Sequence, residues 1–442
     1  DPWAGAVVAG HVIECGTQAT GGNYSFFTEV AGMERTGFPW ADVASDGSSV
    51  IGKHDGTGGE VSVGTVTSQL LYEIGPPAYL GPAVTARFDT INIEQAGVDR
   101  VSLSGIAGEP PPSTLKVSMN ELGGYRNDVS VALTGLDIEA KARLVEDAFW
   151  LACPTDRDDF AEVTTRLVRT DKEDPASNEE AVALWRLTVK DPDEHKVGRV
   201  ISSSVNELAL ATIPGMFGIG GGGARPFGVF RPALVPADLV PQHVAFLEGD
   251  RTIVESVAPT GVVEVVPATG PDAQRPDGDT TAVPIGHVVG ARSGDKGGNA
   301  NIGVFARTPA AWAWLDWFLT IDRLRTLLPE AADLEIDRYR LPSLMSLNFL
   351  IHGILQEGVA ASTRQDGQAK GLGEFPQHVQ DYYKAHPEDL ELDTTVRQEI
   401  HAKRSEEIKK PHDEFILSKA WSSAMGAVGP RGVNAPPEKW DF

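Results

Sequence analysis

The sequence predicts a mixed chain, α/β at its start and α+β further on, and three observations carry that reading. A short apolar run, Ser49 to Gly52, enters a glycine-rich turn and then a helical pattern. Between residues 128 and 213, strand-like and helix-like runs alternate. From Pro284 a third, compact stretch reads β-β-α-β-α-β, the order of a small sheet covered on one face by two helices.

In chain order, Ala6 to Cys15 has the pattern of a short helix stopped by Gly16, and Gly16 to Asn23 is a polar, glycine-bounded loop of the kind that holds ligands. Thr57 stands three residues before Glu60, the spacing of a capping box, so a helix is expected from about Thr57. Val63, Val66, Thr67, Leu70 and Leu71 then recur at helical intervals until Gly75-Pro76-Pro77 stops them. Short β-type runs follow at Ala86–Asp89, Arg100–Leu103 and Thr114–Ser118, punctuated by Gly and by Pro110-Pro111-Pro112. Asp128–Leu133 reads as a strand, Ile138–Leu151 as a helix, Ala161–Arg169 and Ala181–Val189 as strands, and Val200–Ile213 as a helix.

The stretch 270–281, rich in Pro, Asp, Gly and Thr, has the composition of a linker. Beyond it, Pro284–Arg292 and Ala300–Ala306 read as strands, Pro309–Leu328 as a helix, Leu334–Leu341 as a strand, Ser343–Leu355 as a helix and Gly358–Arg364 as a closing strand. Trp312, Trp314, Trp317 and Phe318 form a stripe expected in a core or domain interface. Thr395–Lys410 predicts a charged helix followed by a Gly/Pro/Ala tail. The expected division is thus residues 1–269, a linker at 270–282, a second domain at 283–392, and a helix and tail at 393–442.

Lys and Arg total 38 against 62 Asp and Glu, a net charge of -24 that argues against nucleic acid or an anionic membrane as partner, because phosphate surfaces reward the opposite sign. Cys15 and Cys153 alone cannot make a disulfide framework, which points to a reducing, cytoplasmic compartment. No apolar run approaches the ~20 residues of a membrane span.

The turn Lys53 to Gly59 has the layout of an anion site. Free N–H groups at a helix start, the local positive potential, glycines without side chains and Lys53 would converge where a phosphate, a carboxylate or a developing enolate sits. A plain strand-turn-helix connection is the other reading of the same residues. Gly218 to Gly223 matches GxGxxG, but it follows Pro214-Gly215 and runs into Arg225-Pro226, which cannot open a helix, so a nicotinamide site is rejected. A lid bringing Arg225 or Arg231 to a ligand fits that stretch instead. His11, Glu14 and Cys15 lie at i, i+3 and i+4 on one helix face, a spacing that matches no metal motif, so no metal is assigned. A serine hydrolase lacks its G-x-S-x-G signature.

Longer strings point to kin. Ala9-Gly10-His11-Val12-Ile13-Glu14-Cys15-Gly16 with Thr20-Gly21-Gly22, Gly37-Phe38-Pro39, Lys53-His54-Asp55-Gly56-Thr57-Gly58-Gly59, and Tyr72-Glu73-Ile74-Gly75 with Tyr79-Leu80 and Pro82 resemble the acyclic terpene utilisation (AtuA-type) family. Ala291-Arg292-Ser293-Gly294-Asp295-Lys296-Gly297-Gly298-Asn299-Ala300-Asn301-Ile302-Gly303, with Leu347-Asn348-Phe349 before His352, is similar to that family's C-terminal ferredoxin-like domain. Family members carry a further α/β segment before the position where this chain starts. The resemblance therefore implies an AtuA-type domain without its usual first half, that half being cleaved, supplied by another polypeptide or outside this chain, and it implies a homo-oligomer or such a partner chain.

The resemblance also implies catabolism of acyclic terpenes and branched acids as coenzyme A thioesters. Chemistry next to a thioester carbonyl needs a holder for the carrier's phosphates, donors for the enolate oxygen and a base near the α-carbon. Lys53, Gly56, Thr57, Gly58, Gly59, Thr20, Gly21, Gly22, Arg292, Ser293 and Asn299 are the expected binding groups, and His54, His11, Glu14, Asp295 and Lys296 the expected proton movers. The expectation is an acyl-CoA lyase or hydratase acting through an enolate, with coenzyme A entering as part of the substrate and no tightly bound cofactor. The alternative is a non-catalytic acyl-CoA-binding or scaffold subunit of a larger complex. An enzyme should bring the Lys53/His54 turn and the Asp295/Lys296 turn to one cleft, whereas a scaffold leaves them apart.

Overall fold

The computed structural model describes residues 1–210, 213–247, 249–254, 265–276, 280–374 and 380–383. The helix expected over Thr395–Lys410 and the tail after it lie outside the described residues. Helix α1 (Pro2–Ile13) starts where the Asp1 carboxylate accepts from the Trp3 and Ala4 N–H groups. Strands β1 (Pro39–Val43) and β2 (Ser49–Lys53) lead to α2 (Val63–Leu70), and β3 (Ala78–Leu80), β4 (Thr85–Arg87), β5 (Asn92–Gly97), β6 (Arg100–Ser104) and β7 (Ala107–Glu109) follow. They make an antiparallel sheet ordered β1-β2-β6-β5 and a smaller one ordered β3-β4-β7. Ala4, Val8 and Val12 of α1 and Val66 and Leu70 of α2 bury their apolar stripes against Ile51, Val101 and Leu103 of the larger sheet.

The start of α2 corrects the capping-box reading. The box is Ser62 and Thr65: the Ser62 hydroxyl accepts from the Thr65 N–H and the Thr65 hydroxyl from the Ser62 N–H. Thr57 instead donates to the His54 carbonyl, closing a turn five residues earlier in the chain.

A second layer begins with β8 (Thr114–Leu133), one long strand where two short ones were expected. With α3 (Ile138–Ala152), β9 (Glu162–Val168), β10 (Ala183–Asp191), α4 (Glu194–Val197), α5 (Arg199–Glu207), β11 (Met216–Gly221) and β12 (Arg225–Pro236), it forms a sheet ordered β11-β8-β10-β9 with β12 also on β8. Val145 and Phe149 of α3 and Ile201 of α5 pack on Val129, Val131, Trp185 and Leu187. The expected lid is corrected here: Gly218 and Gly221 are paired with β8, Arg225 is bound to Asp128 and Arg231 to Glu121. Two short hairpin strands, β13 (Gln242–Ala245) and β14 (Arg251–Val254), follow.

The last unit opens with β15 (Thr280–Pro284) and contains β16 (Val289–Lys296), β17 (Asn299–Ala306), α6 (Pro309–Phe318), α7 (Ile321–Leu327), β18 (Ile336–Leu341) and β19 (Ser346–Ile351), while β20 (Gln380–Tyr383) pairs with β15. The sheet is antiparallel, ordered β16-β17-β19-β18. Trp314 and Phe318 stack 4.6 Å apart and sit in the core beneath the sheet, as their stripe predicts. Several elements differ from expectation, among them the helix expected over Pro309–Leu328, which is the two helices α6 and α7. Ser346–Ile351 is a strand within the stretch read as a helix, and Gly358–Arg364 forms turns rather than a strand. All six residues of β19 are buried, so the strand shows no alternation and its apolar run mimics a buried helix.

The two faces of this sheet explain why. One takes α6 and α7, and the other docks on the first unit, whose core includes Phe305, Leu341 and Leu344. Asn301 and Asn348, both buried, donate to the Leu71 and Gly75 carbonyls at 2.7 Å each, clamping the chain that leaves α2. No helix of the described residues is long and apolar enough to cross a membrane.

Candidate functional site

The segment after α2 lies directly on the second unit's sheet, and two glycines permit it. A Cβ on Gly303 would fall 2.4 Å from the Leu71 Cβ, and one on Gly294 would fall 2.6 Å from the Glu73 Cγ and 2.8 Å from the Tyr72 Cε2. Glu73 itself adopts φ +53°, a left-handed conformation uncommon outside glycine and most often kept where function needs it. The contacts of Asn301 and Asn348 on either side hold the backbone there.

Charges from both units converge on this point. Lys370 donates to Glu73 Oε1 at 2.7 Å and stands 4.3 Å from the centre of the Tyr72 ring. The Arg292 guanidinium lies 4.3 Å from the same ring and donates to Gln18 Oε1. One buried aromatic ring therefore seats two cations. Arg292 is 4% exposed, and among the described residues no carboxylate lies within the 4.0 Å of an ion pair. A guanidinium taken out of water without a counter-ion carries a desolvation cost that an incoming anion would offset. Burial accordingly holds Arg292 below its ordinary pKa, with Cys15, Glu73 and Glu374 opposing.

Burial first, then the charge and hydrogen bond of Asp295, push the Glu73 carboxyl up from 4.5 to about 7; Lys296 opposes and Glu14 adds to the rise. The Lys370 ammonium also favours the ionised form, but burial and two neighbouring carboxylates act against it, and the net direction is upward. Lys296 forms no ion pair within 4.0 Å among the described residues, and burial of its ammonium, then Lys116, lower its pKa against Glu73, Glu14 and Asp295. The His11 ring beside Glu14, with Lys296, holds that carboxyl below its ordinary value. Burial, then Glu14 and Glu73, raise the Cys15 thiol, which makes it a poor nucleophile. Glu14 is exposed and opens one side of the cluster to solvent.

His11 is buried, its Nε2 3.1 Å from the Gln69 carbonyl, which fixes that nitrogen as the proton carrier. Its Nδ1 lies 3.2 Å from Glu14 Oε1. Ser293 accepts from the Gly373 N–H at 2.8 Å and donates to the Lys370 carbonyl at 3.3 Å, so it seats the segment carrying Lys370.

The Lys53 turn is elsewhere engaged. Lys53 is buried, donating to the Thr57 carbonyl at 2.8 Å and lying 3.3 Å from Asp99. The N–H groups of Gly58 and Gly59 are bonded to the Arg35 and Ala31 carbonyls, while His54, Asp55 and Gly56 are exposed. The expected anion cradle is therefore corrected at Gly58, Gly59 and the Thr57 hydroxyl, whose donors are spent inside the protein, while Gly56 faces solvent. Among the described residues no hydrogen bond, ion pair or ring contact joins this turn to the Asp295/Lys296 turn. Thr20 donates to the Thr17 and Gly37 carbonyls, and Gly21 and Gly22 N–H groups bond the Gln18 and Thr17 carbonyls, so that loop serves the site only through Gln18.

Asn299 sits at the far end of the β16-β17 turn. Its Oδ1 accepts from the Gly353 N–H, which aims its Nδ2 at His352 Nδ1, 3.5 Å away. The proton of His352 is then on Nε2, directed at Asp337 Oδ2 at 3.0 Å. Glu335, Asp337 and His352 bring ligand atoms within 4.8 Å of one another, yet a proton on the nitrogen facing the cluster opposes metal binding there.

Glu73, Tyr72, Lys370 and Gln18 are the members that sequence reasoning did not assign to the site. A glutamate just before Gly75-Pro76-Pro77 was the available signal for the first; Lys370 had none.

A model described as acyclic terpene utilisation family protein AtuA matches residues 1–246, and one described as AtuA ferredoxin-like domain matches residues 283–380. No curated protein and no solved structure matches the chain. Glu14, Tyr72 and Glu73 come from the first matched span, and Arg292, Asp295, Lys296 and Lys370 from the second.

Proposed function

The chain belongs to the acyclic terpene utilisation family, and from that premise we propose that it acts on a coenzyme A thioester of a branched acid by proton transfer at the α-carbon, as a hydratase or lyase. The observation that carries the reading is a glutamate with a pKa of about 7 beside a buried arginine that has no carboxylate within ion-pair distance among the described residues. A base poised near the working pH and a fixed cation waiting for an anion are what enolate chemistry needs. In this reading Arg292 and Lys370 hold the anionic part of the substrate, Glu73 takes the α-proton, and Lys296 faces the enolate oxygen. For a β-hydroxyacyl substrate, loss of the α-proton to Glu73 is followed by departure of the β-hydroxyl, which takes up a proton from solvent to leave as water and gives the enoyl thioester; Glu73 then returns its proton to solvent.

The test is solvent exchange. Isovaleryl-CoA incubated with the protein in deuterium oxide should gain deuterium at the α-carbon, read by mass spectrometry, and Glu73→Gln should slow the uptake by about 100-fold to 10,000-fold. Saturable binding without exchange would move the protein to the non-catalytic acyl-CoA-binding class, and absence of binding would sink the thioester reading altogether.

A further inference from the structure

A separate cleft of about 440 Å³ opens between the two units at the other end of α2, sharing no residue with the Glu73 cluster. Its size falls in the range of small-molecule sites. Tyr24 lines it, is 7% exposed, and its hydroxyl makes no hydrogen bond among the described residues. That oxygen rests against the first turn of α2, since a Cβ on Gly64 would fall 2.2 Å from it. The Ser62 hydroxyl takes the Thr65 N–H and Gln95 Oε1 takes the Val63 N–H, while the Gly64 N–H has no acceptor among the described residues. Two donors without acceptors among the described residues thus belong to a cleft that Ile93, Phe305 and Leu344 also line.

The charges select against an anion. Arg307, the cation of the lining, is already held by both oxygens of Glu29 at 3.0 and 2.8 Å. We propose that this cleft is a second ligand site for a neutral, oxygen-bearing hydrocarbon, an aliphatic alcohol, ketone or ester, with its oxygen on the Tyr24 hydroxyl and the Gly64 N–H and its chain on Ile93, Phe305 and Leu344. Such a molecule satisfies the idle donors and buries apolar area at once. The inference does not depend on the thioester reading.

Octan-1-ol titrated into the full chain by calorimetry should bind at one saturable site, octanoate more weakly. Tyr24→Phe should weaken the alcohol about ten-fold, as loss of one hydrogen bond does. Val63→Trp, at the half-buried mouth of the cleft, should abolish binding with the fold retained by circular dichroism. A diazirine-bearing aliphatic alcohol photolysed with the wild-type protein should label peptides containing Tyr24 or Met345. Tighter binding of octanoate, unchanged affinity in both variants, or labelling confined to other peptides would overturn the proposal.

Discussion

Two buried arginines on the same sheet have opposite surroundings. Arg338, fully buried, donates to the Asp316 side chain at 2.7 Å and to the carbonyls of Leu319, Gly270 and Asp316. Asp316 in turn takes both an Nε and an Nη donor of Arg340 and the N–H groups of Asp272 and Ala273. Every charge there is met by protein, and the expected linker contributes to meeting it. Arg292, nearly as buried, has Gln18, an aromatic ring and no carboxylate within 4.0 Å among the described residues. Burial alone therefore does not mark a functional charge; what marks it is the partner that the protein leaves out.

That contrast fixes what substitution should do in each region. Asp316→Ala takes the counter-ion from fully buried Arg338 and one of two from Arg340 and should cost about 3–5 kcal/mol of stability in denaturant unfolding. Arg292→Met should do the reverse: it removes a costly buried charge, so the unfolding midpoint should hold or rise, while affinity for coenzyme A falls about 100-fold, or about 3 kcal/mol. Loss of stability with affinity intact would place Arg292 in the same class as Arg338.

Lys53 belongs with the satisfied group. Lys53→Ala breaks its bonds to Thr57 and Asp99 and should lower stability by about 1–3 kcal/mol with no change in coenzyme A affinity by calorimetry. The smallest effect concerns pH. Glu73 titrates at about 7 in the fold against an ordinary 4.5, so the stability it contributes is whole below the lower value and is lost as pH rises through the upper one. Glu73→Gln does not titrate and should gain on the wild type by about 1–2 kcal/mol between about pH 5 and about pH 8, allowing for solvent screening. Equal pH profiles would contradict the raised value.

The local elements were legible where one face met water. The alternation and turn chemistry placed α1, α3, β9 and β10 within a few residues of their observed bounds, and the family strings marked Arg292, Asp295 and Lys296. Reading failed where a signal had two sources. Thr57 and Glu60 mimic the box that Ser62 and Thr65 make, and β19, buried on both faces, resembles a helix. The site itself was half legible because its chemistry is long-range: Glu73 is tuned by Asp295, more than two hundred positions away, and Lys370 reaches it from farther still. The Lys53 turn was the better local motif and proved to be occupied by its own protein.

The most direct test of the account is an infrared titration of the carboxyl groups, taken as the difference between wild type and Glu73→Gln. One carboxyl should titrate with a midpoint near 7, moved downward by Asp295→Asn. A midpoint near the ordinary 4.5, indifferent to Asp295, would contradict it.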